Sequence, residues 1–567
     1  MAPVAGLALL LLAQVGYVGW LARRASVGPA LAPAGAVAGQ LVLAFGCGLA
    51  GALWLAPWLI VGAGLVLLLS EAARAPRALG ATLCHPAIVM LMLATGALVA
   101  VLRGARFVHY DNFSHWALVV RLMLRDDAFP DATTVAQFHS YPLGTASWEY
   151  AVAALTGPAD WHLMVANGYL LVACAVTAFA VTVRRWWCGI VGALALIVAL
   201  GAHGPHLDTL LVDSVLAAFT IAGLAVVAAR RTDIVRAAPL LAVFAAALVA
   251  TKQTGVLWAL VIAGAALTLG AGRVRGRLVA FLATLGGAAA SAWVWRRHTA
   301  STFGADPGSK HSVSRERFEQ ILEQKSPEVR AEISRLYAEA TARDWPTYAL
   351  LGVLALVLVL LAARRPALRD RAARAFALAV VLVIVIVIGQ YVMYLLSMPT
   401  NEALHLAGYE RYVSTVHQVL LGAVVLAAGR LTERPAGTWV PAAWAAQVGS
   451  VACLIPLTSP TPPPAGAAVP ARMAAAIEAA QVPAGAHVCF YTDVRDGGYR
   501  THILRYLLLS DAVSPRLAPP RPTSAIPPSC DYAMVLDAYP RARAYLREHG
   551  FAAPNDGTPV VVSVRSR

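Results

Sequence analysis

An aspartate at the start of a helical pattern is the first residue in this chain that could do chemistry. Asp111 lies in RFVHYDNFSHWALVVRLMLRDDAFPD, residues 106–131, which follows an apolar run. The apolar positions after it recur with a helical period and two arginines fall on the other side, which indicates a helix in the membrane interface. A carboxylate held there could act as a general base. The alternative is that Asp111 or Asn112 caps the helix and Trp116 anchors it among lipid headgroups.

A lone lysine is the second candidate. Lys252 lies in ATKQTG, residues 250–255, where one apolar run ends and the next begins on an acid-rich side. Ionisable groups at such depth are costly and are functional candidates by default, and an ammonium there could bind a lipid phosphate. Snorkelling to the headgroups is the alternative. Asp213 lies within an apolar run and is predicted to reach the same face. The other polar residues predicted there are His203, His206, Asp208, Arg296, Arg297, His298, Glu410 and Arg411.

Two further groups of polar residues leave several interpretations open. Asp126 and Asp127 could hold a divalent cation, but adjacent residues on a helix point about 100° apart. They could also contact the acceptor or end the helix in solvent. His115 lies one turn after Asp111 and could orient or tune its carboxylate. A zinc site needs three or four converging ligands, so no metal site is predicted, and a divalent cation stays an open alternative.

A second interfacial stretch follows the first. FHSYPLGTASWEY, residues 138–150, contains a proline and a glycine that turn the chain back toward the membrane. Two interfacial segments between consecutive spans form a platform rather than a simple connection. Tyr141, within this stretch, is therefore a further candidate for the lining of a substrate cavity.

The composition predicts the elements that must position these residues. The chain has 567 residues, of which 59% are hydrophobic and 13% charged, and apolar runs recur from end to end, as in polytopic membrane proteins. The first run lacks a basic leader and is predicted to be a retained helix. About 14 spans are expected, several of them short. They are 3–21, 36–55, 57–70, 85–102, 162–182, 187–202, 209–229, 237–250, 254–271, 278–295, 346–363, 375–396, 410–429 and 437–457.

Positive charge predicts the orientation. Arginines fall in alternate loops if every run crosses once, and such loops stay in the cytoplasm. The other loops carry the acids, so Asp111, the loop 296–345 and the C-terminal residues are predicted to be extracytoplasmic. The net charge of +15 is mostly a signal of topology. The sequence shows no cluster of basic residues interleaved with aromatic residues, which is typical of nucleic-acid binding. Nucleic acid is therefore not an expected partner.

The polar parts of the chain predict the domain organisation. Residues 1–457 form the transmembrane domain, with an external loop of interfacial helices at 103–160 and an external helical loop at 296–345 that Pro327 interrupts. A proline-rich linker at 458–470 stays extended. Residues 471–567 alternate between helix and strand patterns, which favours a small α/β domain. Its two cysteines, Cys489 and Cys530, could form a disulfide in an oxidising compartment.

Taken together, YDNFSHW, SYPLGT, TKQTG and YERY resemble motifs of the GT-C superfamily of integral-membrane glycosyltransferases. The resemblance covers about residues 85–430 and is closest to uncharacterised bacterial members with a D-x-F-S-H-W and S-Y-P-x-G pattern. It implies a GT-C-like helical fold in which Asp111 is the catalytic acid of the first external loop. It also implies that Lys252 binds the donor phosphate and that Arg411 makes a second phosphate or substrate contact.

The resemblance also implies the reaction and its setting. The donor would be a polyprenyl-phosphate-linked sugar, and the acceptor a glycan, lipid or protein of the cell envelope. Asp111 would take the proton of the acceptor hydroxyl in a single displacement that inverts the anomeric centre. The protein would be a multi-pass protein of the bacterial plasma (inner) membrane, in contact with membrane lipids, with its active site outside the cytoplasm.

Three other classes of membrane protein compete with this interpretation. A transporter or flippase of lipid-linked substrates would use the intramembrane acids and Lys252 for coupling or binding, although no internal repeat is evident in the sequence. An envelope ligase or polymerase would carry a large external loop late in the chain, whereas here the loop with the acid comes early. A scaffold that only presents the C-terminal domain would leave Lys252 and Asp213 unexplained.

Overall fold

The structure is a computed structural model. It describes residues 3–25, 27–180, 207, 209–304, 315–364, 366–431, 468–510, 513–516, 526–554 and 556–564. The predicted spans 187–202 and 437–457 and most of the predicted linker lie outside the described residues, as do the candidates His203, His206 and Asp208.

Helices make up most of the described chain. In chain order they are α1 (Pro3–Arg23), α2 (Ala32–Leu49), α3 (Ala56–Arg74), α4 (Pro76–Leu83), α5 (Pro86–Leu102), α6 (Ala117–Asp126), α7 (Gly144–Thr156), α8 (Asp160–Ala180), α9 (Asp213–Ala229), α10 (Ile234–Thr251), α11 (Gly255–Leu269), α12 (Val274–Phe303), α13 (Arg315–Glu323), α14 (Pro327–Ala363), α15 (Pro366–Leu396), α16 (Thr400–Leu404), α17 (Tyr409–Leu431), α18 (Val469–Ala479), α19 (Tyr499–Leu508) and α20 (Pro540–Glu548). A π-helical turn, Asn112–Trp116, precedes α6.

Seven helices in the described part of the chain are long and apolar enough to cross a membrane, or eight if the bent pair α4 and α5 forms one span. They are Ala5–Arg23, Ala32–Leu49, Leu53–Arg74, Ile234–Thr251, Val274–Phe303, Pro327–Ala363 and Arg369–Leu396. The protein is thus a helical membrane protein, as the sequence predicts, but the number of about 14 spans is not confirmed. With 17 and 15 residues, α9 and α11 are only about 25 Å and about 22 Å long, shorter than a hydrocarbon core of about 30 Å.

The spanning helices differ in how far the protein covers them. In α10, 61% of the apolar stretch is buried, whereas the figure for α14 is 17%. Leu350, Val353 and Leu360 of α14 are large apolar side chains on the outside of the protein. Apolar side chains in that position would be unfavourable in water, so this face of α14 is suited to contact with lipid, while α10 lies in the protein core.

The predicted helical loop 296–345 is largely an extension of membrane helices. α12 continues to Phe303, and α14 runs without interruption from Pro327 into its apolar stretch. Pro327 occupies the first turn of α14, where its missing N–H costs nothing. The Ser326 side chain accepts a hydrogen bond from the Val329 N–H at 3.4 Å and caps the helix. Pro327 therefore begins a helix here, as the predicted break requires.

We call residues 468–564 the C-terminal segment. Its strands are β1 (Val488–Tyr491), β2 (Val513–Arg516), β3 (Tyr532–Val535) and β4 (Val560–Ser563), in the sheet order β2-β1-β3-β4. β1 is parallel to β2 and β3, and β4 is antiparallel to β3. Cys489 and Cys530 form a disulfide. The alternation of helices and strands that the sequence predicts for residues 471–567 is present in this segment. β2 is a strand that the sequence patterns did not predict.

The sheet of the C-terminal segment packs into the same core as the membrane helices. Val488 and Phe490 of β1 belong to the hydrophobic cluster that includes the membrane helices. Cys489 and Tyr491, which alternate with them, belong to a separate cluster behind the sheet. This alternation follows from the two-residue period of a strand. One face of the sheet is therefore continuous with the helical core.

Candidate functional site

Asp111 lies immediately before the π-helical turn Asn112–Trp116. A π turn widens the helix by one residue, and such turns occur frequently at functional sites. The Asp111 side chain makes no capping hydrogen bond. Its backbone N–H donates to Nδ1 of His109 at 3.1 Å, which fixes the backbone at this point. The structure thus does not place Asp111 as a helix cap and leaves its carboxylate directed to another element.

That element is α17. Nη1 of Arg411 lies 2.5 Å from Oδ2 of Asp111, and the two residues are 300 positions apart in the sequence. Arg411 also interacts electrostatically with Asp213 at the start of α9. Asp213 in turn accepts a hydrogen bond from Nζ of Lys252 at 2.7 Å. The candidate base and both candidate phosphate-binding cations therefore meet in one chain of contacts. We call Asp111, Arg411, Asp213 and Lys252 the charged quartet.

The two ends of the charged quartet differ in burial. The side chains of Lys252 and Asp213 are each 10% exposed, whereas those of Arg411 and Asp111 are 35% and 29% exposed. Two acids and two cations cancel in formal charge, and this balance offsets the cost of removing them from water. The Asp111–Arg411 end is therefore the end that a substrate can reach, and the Lys252–Asp213 pair lies behind it.

Neighbouring side chains hold the quartet in place. The ring of Tyr412 lies 5.0 Å from Nζ of Lys252, a distance typical of a cation–π contact. Oγ1 of Thr415 lies 3.0 Å from the Arg411 carbonyl and 3.4 Å from the Asp213 carbonyl, and its single proton is donated to one or the other. Oδ1 of Asn112 accepts from the Leu210 N–H at 3.0 Å. This buried amide ties the turn after Asp111 to the residues before Asp213, so it fixes the two acids relative to each other.

The sequence motifs SYPLGT and TKQTG contact each other beside the quartet. The Ser140 carbonyl accepts from Nε2 of Gln253 at 2.8 Å and from Nε1 of Trp295 at 2.9 Å. A Cβ on Gly144 would lie 2.7 Å from the Ala250 carbonyl oxygen, closer than real side chains come. Glycine is therefore required at position 144 for α7 to begin against the end of α10. This close approach positions Lys252 next to the 138–144 turn.

His115 lies in a cluster of aromatic rings. It is 3% exposed, and neither ring nitrogen has a hydrogen-bond partner among the described residues. Its ring meets those of Trp116, Phe138 and Tyr141 at centroid distances of 4.7 to 5.3 Å. Burial lowers the pKa of His115 to about 3, so the ring is neutral near pH 7. His115 therefore makes no hydrogen bond that could orient Asp111, and its interaction with that carboxylate is electrostatic only.

Tyr141 links this aromatic cluster to the charged quartet. Its ring stacks on Trp116 at 5.7 Å, and its hydroxyl interacts electrostatically with Tyr412, Arg411 and Asp213. Tyr141 thus lies beside the quartet, and its role in lining a substrate cavity stays a prediction.

The remaining predicted residues lie elsewhere. Asp126 bonds to Nε of the neighbouring Arg125 at 2.6 Å. Asp127 has a left-handed backbone that ends α6, and its carboxylate accepts from the Tyr150 hydroxyl at 2.6 Å. Glu410 is exposed at the start of α17. Among the residues that the structure describes, no three His, Cys, Asp or Glu side chains converge in a way that could hold a metal ion.

Sequence reasoning missed three residues that position the quartet: Asn112, Tyr412 and Thr415. Tyr412 follows Arg411 directly, and Thr415 lies one helical turn after it, so the helical period around the arginine could have indicated both. Asn112 carried no such signal, because its partner Leu210 lies in a distant loop. Comparisons with known proteins add no further residue: no family model matches the chain, and no curated protein matches it significantly.

Proposed function

We propose that the protein is a membrane glycosyltransferase of the GT-C type that moves a sugar from a polyprenyl-phosphate-linked donor to an acceptor of the cell envelope. The observation that carries the proposal is the charged quartet. Asp111, Lys252 and Arg411 come from three separate parts of the sequence, yet Arg411 bonds to Asp111 and interacts with the acid that holds Lys252. A base next to phosphate-binding cations is the arrangement that such a transfer requires.

Arg411 is the cation that the donor phosphate would meet first. It is more exposed than Lys252, and a guanidinium binds phosphate oxygens through two donors at once. While Arg411 donates to Oδ2 of Asp111, an acceptor hydroxyl must share that oxygen with the guanidinium. A phosphate that competes for the guanidinium frees the carboxylate, so donor binding prepares the base. Lys252 adds positive charge from behind the pair.

The reaction then proceeds as a single displacement. Asp111 takes the proton of the acceptor hydroxyl, whose oxygen forms a bond to the anomeric carbon. The bond between that carbon and the phosphate oxygen breaks, and its electron pair leaves with the polyprenyl phosphate. Arg411 and Lys252 neutralise the charge that develops on this leaving group. Attack opposite the leaving group inverts the anomeric centre.

The proposed setting is the outer side of the bacterial inner membrane. The arrangement of arginines in alternate loops supports it, as does the disulfide between Cys489 and Cys530, because disulfides persist in oxidising compartments. The C-terminal segment contacts the residues around Asp111, since the Tyr499 hydroxyl donates to the Val108 carbonyl at 2.6 Å. A disulfide-bearing segment and the proposed base therefore belong on the same side of the membrane.

The test is turnover by the purified full chain in lipid nanodiscs. A panel of polyprenyl-phosphate sugars is supplied with envelope extract as acceptor, and release of the lipid phosphate is followed. We expect release with at least one donor, and a loss of roughly 10²- to 10⁴-fold in the Asp111→Asn protein. The matched control is Asp233→Asn, at an exposed aspartate that pairs with Arg236 at 3.0 Å. An active Asp111→Asn protein would overturn the role of Asp111, and no release with any donor would overturn the proposal.

The buried pair of Lys252 and Asp213 favours a second candidate, a transporter or flippase of lipid-linked substrates. Ion pairs at membrane depth also serve as coupling sites in transporters. The two functions differ in what they do to the substrate. Movement of an intact lipid-linked sugar across proteoliposomes, without release of lipid phosphate, would favour the transporter.

A further inference from the structure

The C-terminal segment docks on the helix that carries Asp111. The Tyr499 hydroxyl donates to the Val108 carbonyl at 2.6 Å, and the Tyr506 hydroxyl donates to Oδ1 of Asp160 at 2.6 Å. The other oxygen of Asp160 accepts from the Phe107 N–H at 3.2 Å. These bonds hold α19 against the chain just before Asp111.

The contact continues past Asp111. The ring of Phe113 lies 5.8 Å from that of Tyr499 and 5.3 Å from that of Tyr506. The Arg121 guanidinium lies 4.8 Å above the Tyr506 ring, and Arg125 donates to the Leu509 carbonyl at 3.3 Å. α19 thus follows the Asp111 helix along its length. All residues from 112 to 120 are buried as a result, although the amphipathic pattern predicts one polar face.

His502 is a polar side chain of α19 that lies close to this centre. Its ring is 5.0 Å from that of Tyr110, and it interacts electrostatically with Asp111. It is 8% exposed, and its Nδ1 is buried without a hydrogen-bond partner among the described residues. A buried nitrogen without a partner costs free energy unless a ligand completes it. His502 is therefore placed to bond to something that enters beside Asp111.

The surroundings of Tyr110 indicate what that ligand is. Tyr110 is 38% exposed and interacts electrostatically with Asp111, Asp496, Arg505 and Glu402. An open aromatic ring among mostly acidic groups offers an apolar face for sugar C–H groups and acceptors for hydroxyls. The acids disfavour a phosphorylated ligand here, because like charges repel. The chemistry fits a hydroxyl-rich neutral glycan.

We infer that α19 of the C-terminal segment, with His502 and Tyr110, forms the acceptor side of the Asp111 site and that the acceptor is a glycan. This inference rests on the proposed function. A general base must contact the acceptor hydroxyl, so the acceptor lies next to Asp111. The phosphate-binding cations occupy one side of Asp111, and a group on its other side therefore lies next to the acceptor. Lys252 follows the end of α10 and Arg411 lies at the start of α17, which leaves α19 for the acceptor.

Binding is tested on the full chain in nanodiscs, independently of turnover. The probes are soluble oligosaccharides of glucose, mannose, galactose, arabinose and N-acetylglucosamine, and saturation-transfer NMR measures the dissociation constant. The variants are His502→Phe, which keeps a ring against Tyr110 but removes both nitrogens, and Tyr110→Leu. The control is His549→Phe, at a histidine of the same segment that bonds to the Tyr545 carbonyl at the end of α20. Thermal unfolding confirms that each variant is folded.

We expect at least one oligosaccharide to bind. His502→Phe should weaken binding about tenfold, the effect of one lost hydrogen bond to a ligand, and Tyr110→Leu should weaken it to a similar extent because the aromatic face is lost. The control should bind as the original protein does. Where a donor supports turnover, the KM for the acceptor should rise about tenfold in the variants while the KM for the donor stays within twofold. Unchanged binding in folded variants, or no binding of any oligosaccharide, would overturn the inference. A protein that releases no lipid phosphate with any donor would contradict the proposed function. That result is measured separately from oligosaccharide binding.

Discussion

Arg411 and Asp111 form an ion pair between the first polar loop of the helical core and the start of a late helix, with Nη1 and Oδ2 2.5 Å apart. The pair joins the proposed base to the proposed phosphate-binding cation. If Arg411 binds a phosphate instead, the Asp111 carboxylate loses its partner. If Asp111 binds an acceptor instead, Arg411 is released. This relationship makes the pair a place where donor binding and base activation are linked.

Replacement of Arg411 by lysine tests this link. Lysine keeps the charge but offers a single ammonium in place of a planar guanidinium that bonds to Asp111 and interacts electrostatically with Asp213. We expect kcat/KM for the donor to fall about 10- to 100-fold, the cost of one or two charge-assisted hydrogen bonds. Arg369→Lys, at an exposed arginine that lies 3.6 Å from Asp370, is the control and should have no effect. Full activity in Arg411→Lys would contradict the paired role.

The buried pair of Lys252 and Asp213 makes a prediction about stability that does not depend on function. Lys252→Met leaves the Asp213 carboxylate buried without its partner and should destabilise the protein by about 3–5 kcal/mol. Lys252→Met combined with Asp213→Asn removes both charges and should recover part of this loss. Apparent midpoints of thermal unfolding in detergent would measure both effects. Equal destabilisation in the single and double variants would show that the two residues are not coupled.

The buried ring of His115 predicts how stability depends on pH. Burial lowers its pKa from 6.5 to about 3, with Asp111 opposing the shift and His139 adding to it. Between these values the unfolded chain binds a proton that the folded protein does not, so stability is retained above pH 6.5 and falls as the pH decreases. The loss should approach about 2 kcal/mol between pH 6.5 and pH 5. His115→Phe should remove this part of the slope, whereas His405→Phe, at an exposed histidine, should keep it.

Gly144 predicts a packing effect at the contact of the two motifs. A Cβ at this position would lie 2.7 Å from the Ala250 carbonyl oxygen, so Gly144→Ala should force α7 away from the end of α10. We expect a loss of stability of about 1–3 kcal/mol, with lower turnover because the displaced backbone borders Lys252. A Cβ at Gly286 meets nothing within 4 Å. Gly286→Ala should instead stabilise its helix by about 0.5–1 kcal/mol, and the two variants should shift thermal unfolding in opposite directions.

Cysteine labelling tests the proposed sidedness. Cys84 is exposed at the bend between α4 and α5, next to arginines that predict a cytoplasmic loop. Cys489 and Cys530 are bonded to each other in the C-terminal segment. Because both are buried, the reporter on this side is Asp493→Cys, at an exposed position of the same segment. In intact cells a membrane-impermeant maleimide should label this cysteine and leave Cys84 unlabelled. Cys84 should react only once the membrane is opened. The reverse order would place Asp111 in the cytoplasm.

The sequence predicted which charged residues are unusual but could not predict their partners. Lys252 and Asp213 stand out because each lies in an apolar context, and apolar context is visible in the chain itself. That Lys252 bonds to Asp213, and Arg411 to Asp111, depends on how four helices pack. The 39 and 300 positions between the partners carry no local signal.

The sequence could not predict the number of spans, nor that α19 packs over the helix that follows Asp111. The two failures have different reasons. Apolar composition does not distinguish a crossing helix from a buried one of 15 residues such as α11. The amphipathic pattern of residues 112–126 predicts a helix with one polar face, yet residues 112 to 120 are all buried. It could not show that the polar face contacts α19, because Arg125 and Leu509 are 384 positions apart.

The π turn at Asn112–Trp116 gives the chain one residue more than an α-helical turn would hold. Removal of one residue from this turn would restore a regular helix and rotate everything before it by about 100° relative to α6. Asp111 would then turn away from Arg411 while α6 stayed in its place. The ion pair is thus specified by chain length as well as by residue type, and a one-residue deletion could separate base from cation with every charged side chain still present.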